Sequence, residues 1–504
     1  MKFIRQHLLI ILVLLFALFL RTYNLSATMT FLEDEGRDLL VVHRMLDTFR
    51  PALIGPQTST GNMYLGPLYY YLITPALFLA QMNPLGPVIF IALTGVLTAW
   101  LLYYLGTKWF GKSAGMLAAL MYALLPLPVI FTRNSWNPNL APLISLLMLA
   151  YLVKIVQHKI FVKKDFLILG LLAGALVQLH YMALLFLVGV GLALIYYLHN
   201  SLPTILRGVC VALVGFIITL SPFILFEIRN DYVNTHALTR FVMAKEEHNI
   251  RYSLPLTLWA SKVESTSVRV FASLFGRDAL TRDPARVTIT LIASLLLVMT
   301  LLVIRKKHDS PSRIYRVLFL TFIIPLALTG IYQENIHLHY LGFFFPLIYL
   351  LIAKSRFAWI FFVVCLCYAS PQLLSYLRSD GTNQVIRAKE VIEYILRDTA
   401  GRPYNIVSSR STSSTPYQYF SAISSFPATT EAVPDVYLIC QGAPCSDEDV
   451  NTPFFFITGQ AHPAIRAYLG HPLSNYFEGE RTLLSNDHVS HGAWVAKINV
   501  KLEP

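Results

Sequence analysis

Charge is what this chain most conspicuously lacks. Asp, Glu, Lys and Arg together make up 13% of its 504 residues, about half the share of a soluble domain. Hydrophobic residues reach 55%, and mean hydropathy is +0.56. A soluble globular protein is excluded; the bilayer must be the solvent. Cysteine is also scarce, with five residues and no metal-type spacing. Cys210, Cys365 and Cys367 fall in apolar runs and read as packing residues. Cys440 and Cys445, in Cys-Gln-Gly-Ala-Pro-Cys, can close a small disulfide in an oxidising compartment. No internal repeat is visible, and no acid lies inside an apolar run. The net charge of +12 comes from basic residues scattered between apolar runs, so membrane topology, not nucleic acid, accounts for it.

What the chain has is apolar length. Runs at roughly 3–20, 84–105, 114–131, 140–156, 166–179, 182–198, 208–226, 287–304, 315–331, 339–353 and 357–376 read as spans. Most approach the twenty or so residues needed to cross the hydrocarbon. The run 166–198 exceeds one helix, and Gln178-Leu-His180-Tyr interrupts it, which predicts a tight hairpin. A polytopic α-helical membrane protein with about eleven crossings results. With the N-terminus in the cytoplasm, the inner connections hold sixteen basic residues against Asp165 and Asp309 alone. Short outer turns hold only Arg133. This positive-inside pattern places the first loop (21–83), the large loop (227–286) and the tail outside the cytoplasm.

Two segments need separate treatment. Residues 3–20 read as a retained helix, because no small-x-small cleavage site follows. Residues 61–82 include Gly61-Asn-Met-Tyr-Leu-Gly-Pro-Leu-Tyr-Tyr-Tyr71. Making them a twelfth crossing would move the lysines at 154–164 outside, so they read as an interfacial or re-entrant helix.

The organisation expected is a membrane module over 1–376 and a small extracytoplasmic α/β domain over 377–504. In that tail, 384–398 repeats apolar residues at helical spacing. Asn405–Val407, Val436–Cys440, Phe454–Ile457 and Ala493–Ile498 are β-prone. It shows no catalytic constellation and reads as a structural cap.

Polar groups gather on the outer side. The first loop carries Thr30-Phe-Leu-Glu-Asp-Glu-Gly-Arg-Asp38, with Asp34-Glu35 just past the first span. The second outer turn holds Arg133 and Asn137, and the next holds His180. Glu227 and Arg229 follow span seven, and Gln333-Glu334-Asn-Ile-His337-Leu-His339-Tyr340 precedes span ten. Each has a plain alternative: acids solvate a loop, arginines meet headgroups, and Tyr64 with Tyr69–Tyr71 forms an aromatic belt. His337 and His339, at i and i+2, lack the i,i+4 spacing of a helical metal pair.

An N-terminal anchor, an Asp-Glu outer loop, Gly-Pro-Leu-Tyr-Tyr-Tyr before the next span and Thr-Arg-x4-Pro in the second outer turn occur in that order. Together they resemble the polytopic GT-C glycosyltransferases, in particular the protein O-mannosyltransferase and aminoarabinose transferase group (glycosyltransferase family 39-like). The similarity spans roughly 1–230 well and 230–370 loosely. It implies a GT-C fold and an enzyme that takes sugar from a polyprenyl-phosphate-linked donor at the outer face. The family's first-loop acid, its proposed base, falls on Asp34, with Glu35 beside it. Where some relatives carry a second acid in the second outer turn, this chain has Asn137 and Asn139, so no metal is assigned.

Elementary chemistry agrees. A sugar phosphate leaves as an anion that needs charge stabilisation, which arginine's planar fork supplies. The acceptor hydroxyl must lose a proton, which one carboxylate can take. Asp34 and Glu35 are therefore the catalytic candidates. Arg133, Arg229 and His339 are candidates for the donor phosphate, and Tyr64, Asn137, His180 and His337 for other substrate contacts. The partners implied are the lipid-linked donor, an unnamed hydroxyl acceptor and membrane lipids. The competing reading, a lipid or sugar-lipid transporter or flippase, calls for internal repeats and broken helices in two halves.

Overall fold

The computed structural model describes the chain except residues 1, 59–62, 244–255, 275–283, 306, 333–334, 410–411, 430–432, 452–479 and 502–504. Its helices are, in order, α1 (Lys2–Thr22), α2 (Leu25–Thr28), α3 (Glu33–Thr48), α4 (Leu68–Leu79), α5 (Leu85–Phe110), α6 (Lys112–Leu124) and α7 (Pro126–Phe131). Then come α8 (Ala141–His158), α9 (Lys163–Leu179), α10 (Ala183–Leu198), α11 (Leu202–Arg229), α12 (Val233–Met243), α13 (Leu256–Ala272) and α14 (Pro284–Ile304). The last are α15 (Ser310–Leu328), α16 (Phe345–Ala353), α17 (Ala358–Arg378), α18 (Gln384–Thr399), α19 (Thr415–Ala422) and α20 (Asp447–Asn451). Strands β1 (Asn405–Ser408), β2 (Asp435–Gln441), β3 (Arg481–Ser490) and β4 (Ala493–Val500) lie in the tail.

Every apolar run read as a span is helical. Among the described residues, five helices are long and apolar enough to cross a membrane, and further apolar helices are shorter. The chain is an integral membrane protein. The hairpin expected at Gln178–Tyr181 is present, with α9 ending at Leu179 and α10 starting at Ala183. In the 61–82 segment only α4 is helical; at about 1.5 Å per residue its 12 residues fall well short of the ~30 Å hydrocarbon.

The chain forms two compact units. The first comprises Met1–Tyr23, Ile89–Ile224 and Val242–Arg378. Its helices approach through small residues: a Cβ on Gly170 of α9 would lie 1.9 Å from the Ala212 carbonyl oxygen of α11. Prolines set its most consequential break. Leu125 is extended, as a residue before proline prefers, and this ends α6. Pro126 has no N–H, so the Tyr122 carbonyl loses its helical donor. Arg21 of α1 replaces it, donating Nη2 to Tyr122 O at 2.9 Å and Nη1 to Ala123 O at 3.1 Å. Arg133 does the same for α1, donating to the carbonyls of Leu20 and Tyr23 at 2.8 Å each. Both guanidiniums are fully buried and sit at helix C-termini, where the dipole favours cations. Both acids of the connections read as cytoplasmic have local partners: Asp165 pairs with Lys154 at 2.7 Å, and Asp309 caps α15 through Ser312 N.

The second unit comprises Asn24–Val88, Leu225–Phe241 and Ser379–Pro504. Its four-stranded sheet has order β1-β2-β4-β3. β1 and β2 are parallel, joined through α19, and β4 pairs antiparallel with β2 and β3. Val407, Val436, Leu438, Ala496 and Ile498 form its apolar core, and Cys440 and Cys445 form a disulfide. The helix over 384–398 and three of the four expected strand segments are found; Phe454–Ile457 lies outside the described residues. β3 was not foreseen. The sheet is not the whole unit: α2, α3 and α4 of the first loop belong to it too.

Replacing Arg21 with Leu leaves two buried carbonyls without donors. The variant should lose roughly 2–4 kcal/mol in unfolding followed in detergent, whereas a surface substitution such as Arg207→Leu should change it little.

Candidate functional site

Helix α3 starts with three acids in a row, Glu33, Asp34 and Glu35, all favoured at a helix N-terminus. Successive residues on a helix point about 100° apart, so the three reach different partners. Glu35 turns back over the helix start. It accepts from Leu32 N at 3.0 Å and Thr30 Oγ1 at 2.6 Å, and is buried. Burial raises its pKa, opposed by those two hydrogen bonds. Glu35 thus caps the start of α3, an engagement that Asp34 does not share. Glu33 accepts from the Ser413 hydroxyl at 2.7 Å.

Asp34 is left with 42% of its side chain exposed. Its Oδ1 accepts from Arg37 Nη1 at 2.7 Å. Arg37 turns its other edge to Asp38, donating Nε at 3.0 Å and Nη2 at 2.7 Å to Oδ1. Asp38 is fully buried. Burial pushes it up to about 7, against the pull of Arg37 and with help from the charge on Asp34. Burial alone would lower Arg37, yet Asp38 and Asp34 hold it well above its ordinary value. Tyr70 of α4 is buried beside this pair. Its hydroxyl and Asp38 Oδ2 each make no hydrogen bond among the described residues. The sequence reading placed Arg37 and Asp38 in the loop cluster without a role. The i,i+3 spacing of Asp34 and Arg37 was the available signal once the loop is seen to be a helix.

Elsewhere in the same unit, Glu227 is buried and accepts from the backbone N–H of Asn234 at 3.1 Å and of Thr235 at 2.7 Å. Asn234 then brackets the Tyr64 backbone, accepting from its N–H at 2.6 Å and donating to its carbonyl at 3.2 Å. The Tyr64 ring is itself buried, so this candidate substrate contact is held within the fold. Arg229 is exposed.

The other candidates belong to the first unit. Arg133, expected to meet phosphate, is buried and engaged with the carbonyls that end α1; a helix terminus attracts it for the same electrostatic reason a phosphate would. Asn137 is buried too, donating to the Leu179 carbonyl at 2.6 Å, and ties two turns together. The histidines do assemble. His339 lies 4.1 Å from Trp136 between ring centroids and 5.5 Å from His337, in a stacked pair. His180 stacks on Tyr340 at 4.1 Å. Burial lowers His180 to about 3, keeping it neutral, and its Nδ1 accepts from Met182 N at 3.1 Å. His337 is exposed, and His339 lines a small pocket with Asn139, Thr132 and Phe131. Glu334 lies outside the described residues. Among the described residues no three His, Cys, Asp or Glu come together as metal ligands.

Residues 65–226 match the model of a family described as dolichyl-phosphate-mannose-protein mannosyltransferase. No curated protein matches the chain. Among solved structures, the chain is similar to ArnT from Cupriavidus metallidurans bound to undecaprenyl phosphate, with TM-score 0.57 and 13% identity over 98% of each chain. The apo state of that protein gives 0.57 and 12% identity, over 99% of this chain and 98% of the other. An oligosaccharyltransferase from Archaeoglobus fulgidus, tethered to an acceptor peptide, gives 0.50 and 13% identity over 88% of this chain and 70% of its own. At these identities the structural likeness is one of fold, and it reaches the tail that the sequence motifs left out. The matched family is one of glycosyltransferases, the enzyme class implied by the motifs, and the fold shared with ArnT is the GT-C fold expected from them.

Proposed function

We propose that this chain moves a sugar from a polyprenyl-phosphate donor to an acceptor hydroxyl, with inversion, using Asp34 as base. One observation carries the assignment. Of three consecutive acids, Glu33 accepts from Ser413 and Glu35 is buried against the helix start, and Asp34 is the one that pairs with a cation while keeping 42% of its side chain exposed. The matched family is described by a dolichyl phosphate sugar, and ArnT was solved with undecaprenyl phosphate; both point to a polyprenyl phosphate as the donor's carrier. The scatter of basic residues supports an extracytoplasmic site with the N-terminus and inner loops in the cytoplasm.

In the step, Asp34 takes the proton of the acceptor hydroxyl as the acceptor oxygen bonds to the sugar's anomeric carbon. The bond from that carbon to the phosphate oxygen breaks, and its electron pair leaves with the polyprenyl phosphate. The leaving group is already a stable anion, so no second acid is needed to protonate it. The acid pair of a glycosidase is not required. Of the sequence-level phosphate set, Arg229 and His339 remain candidates, each in its own unit. Asp38 holds two of Arg37's donors, which leaves the charge on Asp34 only partly neutralised.

Asp34→Asn should lower sugar transfer from a lipid-linked donor by about 10²-fold or more in purified, folded protein; wild-type turnover would reject the base. Arg229→Ala should raise the donor KM about tenfold with kcat little changed, while Arg133→Gln should lower unfolding stability and leave the donor KM within twofold. The pH profile tests Asp38. Below about 7 it becomes protonated and relaxes its hold on Arg37, which then neutralises Asp34 more fully, so the rate should fall from pH 8 to pH 6. Asp38→Asn should be slow throughout and lack that step.

A further inference from the structure

The first turn of α3 is held by a part of the chain far away in sequence. The stretch Ser408-Ser-Arg-Ser-Thr-Ser-Ser-Thr415 leads into α19. Thr415 donates its hydroxyl to the Glu33 carbonyl at 2.7 Å and lies 3.4 Å from the Leu32 carbonyl. Ser413 donates to Glu33 Oε2 at 2.7 Å. Gly36 lies flush against the same residues: a Cβ there would stand 2.6 Å from Pro416 N and Thr415 Oγ1. Phe31 packs edge-on between Tyr419 and Phe420, with ring centroids 6.0 and 5.8 Å away. Its N–H donates to Gln384 Oε1 at 2.6 Å.

These contacts surround Asp34 without touching its carboxylate. They fix the carbonyl before it, the side chain before it and the glycine two residues after it. A helix start is otherwise the part of a helix most prone to fraying. A displacement of about 1 Å at a reacting group can cost on the order of 10² in rate. The tail therefore has more to do than complete its own sheet.

We propose that Ser413–Pro416 is a positioning element of the transfer site, holding the first turn of α3 so that Asp34 and Arg37 meet the acceptor at one angle. The inference rests on Asp34 being the base. It predicts that the rate of the chemical step depends on a hydroxyl in the tail that contacts neither the donor nor the reacting atoms.

The test uses the full-length protein in detergent or proteoliposomes with a polyprenyl-phosphate sugar as donor. Thr415→Val keeps shape and removes the donor; Thr415→Ser restores it. Thr415→Val should lower kcat about tenfold, the worth of roughly one hydrogen bond, with donor KM within twofold. Thr415→Ser should return to within threefold of wild type. Hydrogen exchange should show faster exchange over 33–38 in Thr415→Val and unchanged exchange in β1, β2 and β4. Wild-type kcat in Thr415→Val would overturn the proposal, as would a loss that Ser does not rescue. If Thr415→Val does not fold, Ser413→Ala decides: a kcat at least threefold lower with constant KM supports the clamp, and an unchanged kcat overturns it. If the wild-type protein transfers no sugar, the transferase reading fails separately. Exchange over 33–38 then judges the clamp alone: faster in Thr415→Val sustains it, unchanged removes it.

Discussion

A backbone carbonyl in an apolar solvent must find a donor within the protein, and that constraint shapes the first unit. Prolines at 126 and 128 interrupt what would be one long span and strand carbonyls where water is absent. Arg21 supplies donors to the Tyr122 and Ala123 carbonyls there, and Arg133 does so for carbonyls that end α1. A guanidinium suits this because its fork reaches two carbonyls at once and never loses its proton. Arg21 has no carboxylate partner among the described residues; the negative end of α6 compensates its charge, and the end of α1 favours Arg133 in the same way. Leu20, Val129, Ile130, Leu373 and Leu377 close around this junction, so it lies within packed apolar side chains.

The same demand for partners sorts the acids of α3. Glu33, Asp34 and Glu35 are chemically alike, and their order along the chain does not say which can act as a base. Helical rotation decides. One faces Ser413, one folds back on the helix start, and one faces outward beside Arg37. Burying Asp38 beneath Arg37 is costly, and its unbonded Oδ2 adds to that cost. A buried ion pair is weak evidence for stability; here it fixes the direction of a guanidinium that would otherwise swing with its four-bond stem.

Hydropathy alone revealed the helices, and the polar interruption at Gln178–Tyr181 revealed a hairpin, because both signals are local. So were the apolar alternations of β1, β2 and β4. β3 escaped because Arg481–Ser490 is polar along most of its length; among the described residues it is an edge strand, paired with β4. The Asp-Glu pair stood out in the sequence as a candidate, but the partner each acid takes did not. Glu35 caps a helix whose cap position is Leu32, so the usual Ser or Thr signal three residues earlier is missing. The structural engagements of Arg133 and Asn137 were hidden for another reason. Their partners, Leu20 and Leu179, lie 113 and 42 residues away, and a single sequence holds no record of such pairings.

Tail and first loop illustrate the point most sharply. Read separately, 377–504 is a small α/β domain and 21–83 is a loop with a helix in it. Yet Asn383 N donates to Ala27 O at 3.0 Å, and Gly381 at φ +73° lies so close to Ala27 that a Cβ would stand 2.1 Å from its carbonyl oxygen. Leu25, Met29 and Val88 share an apolar cluster with Val385. The loop shares part of its core with the tail. A carboxylate that must be both accessible and fixed is well served by this arrangement: exposure comes from lying at a helix start, and rigidity from a sheet-backed domain folded against that start. A loop spanning the same distance alone would provide the first property without the second.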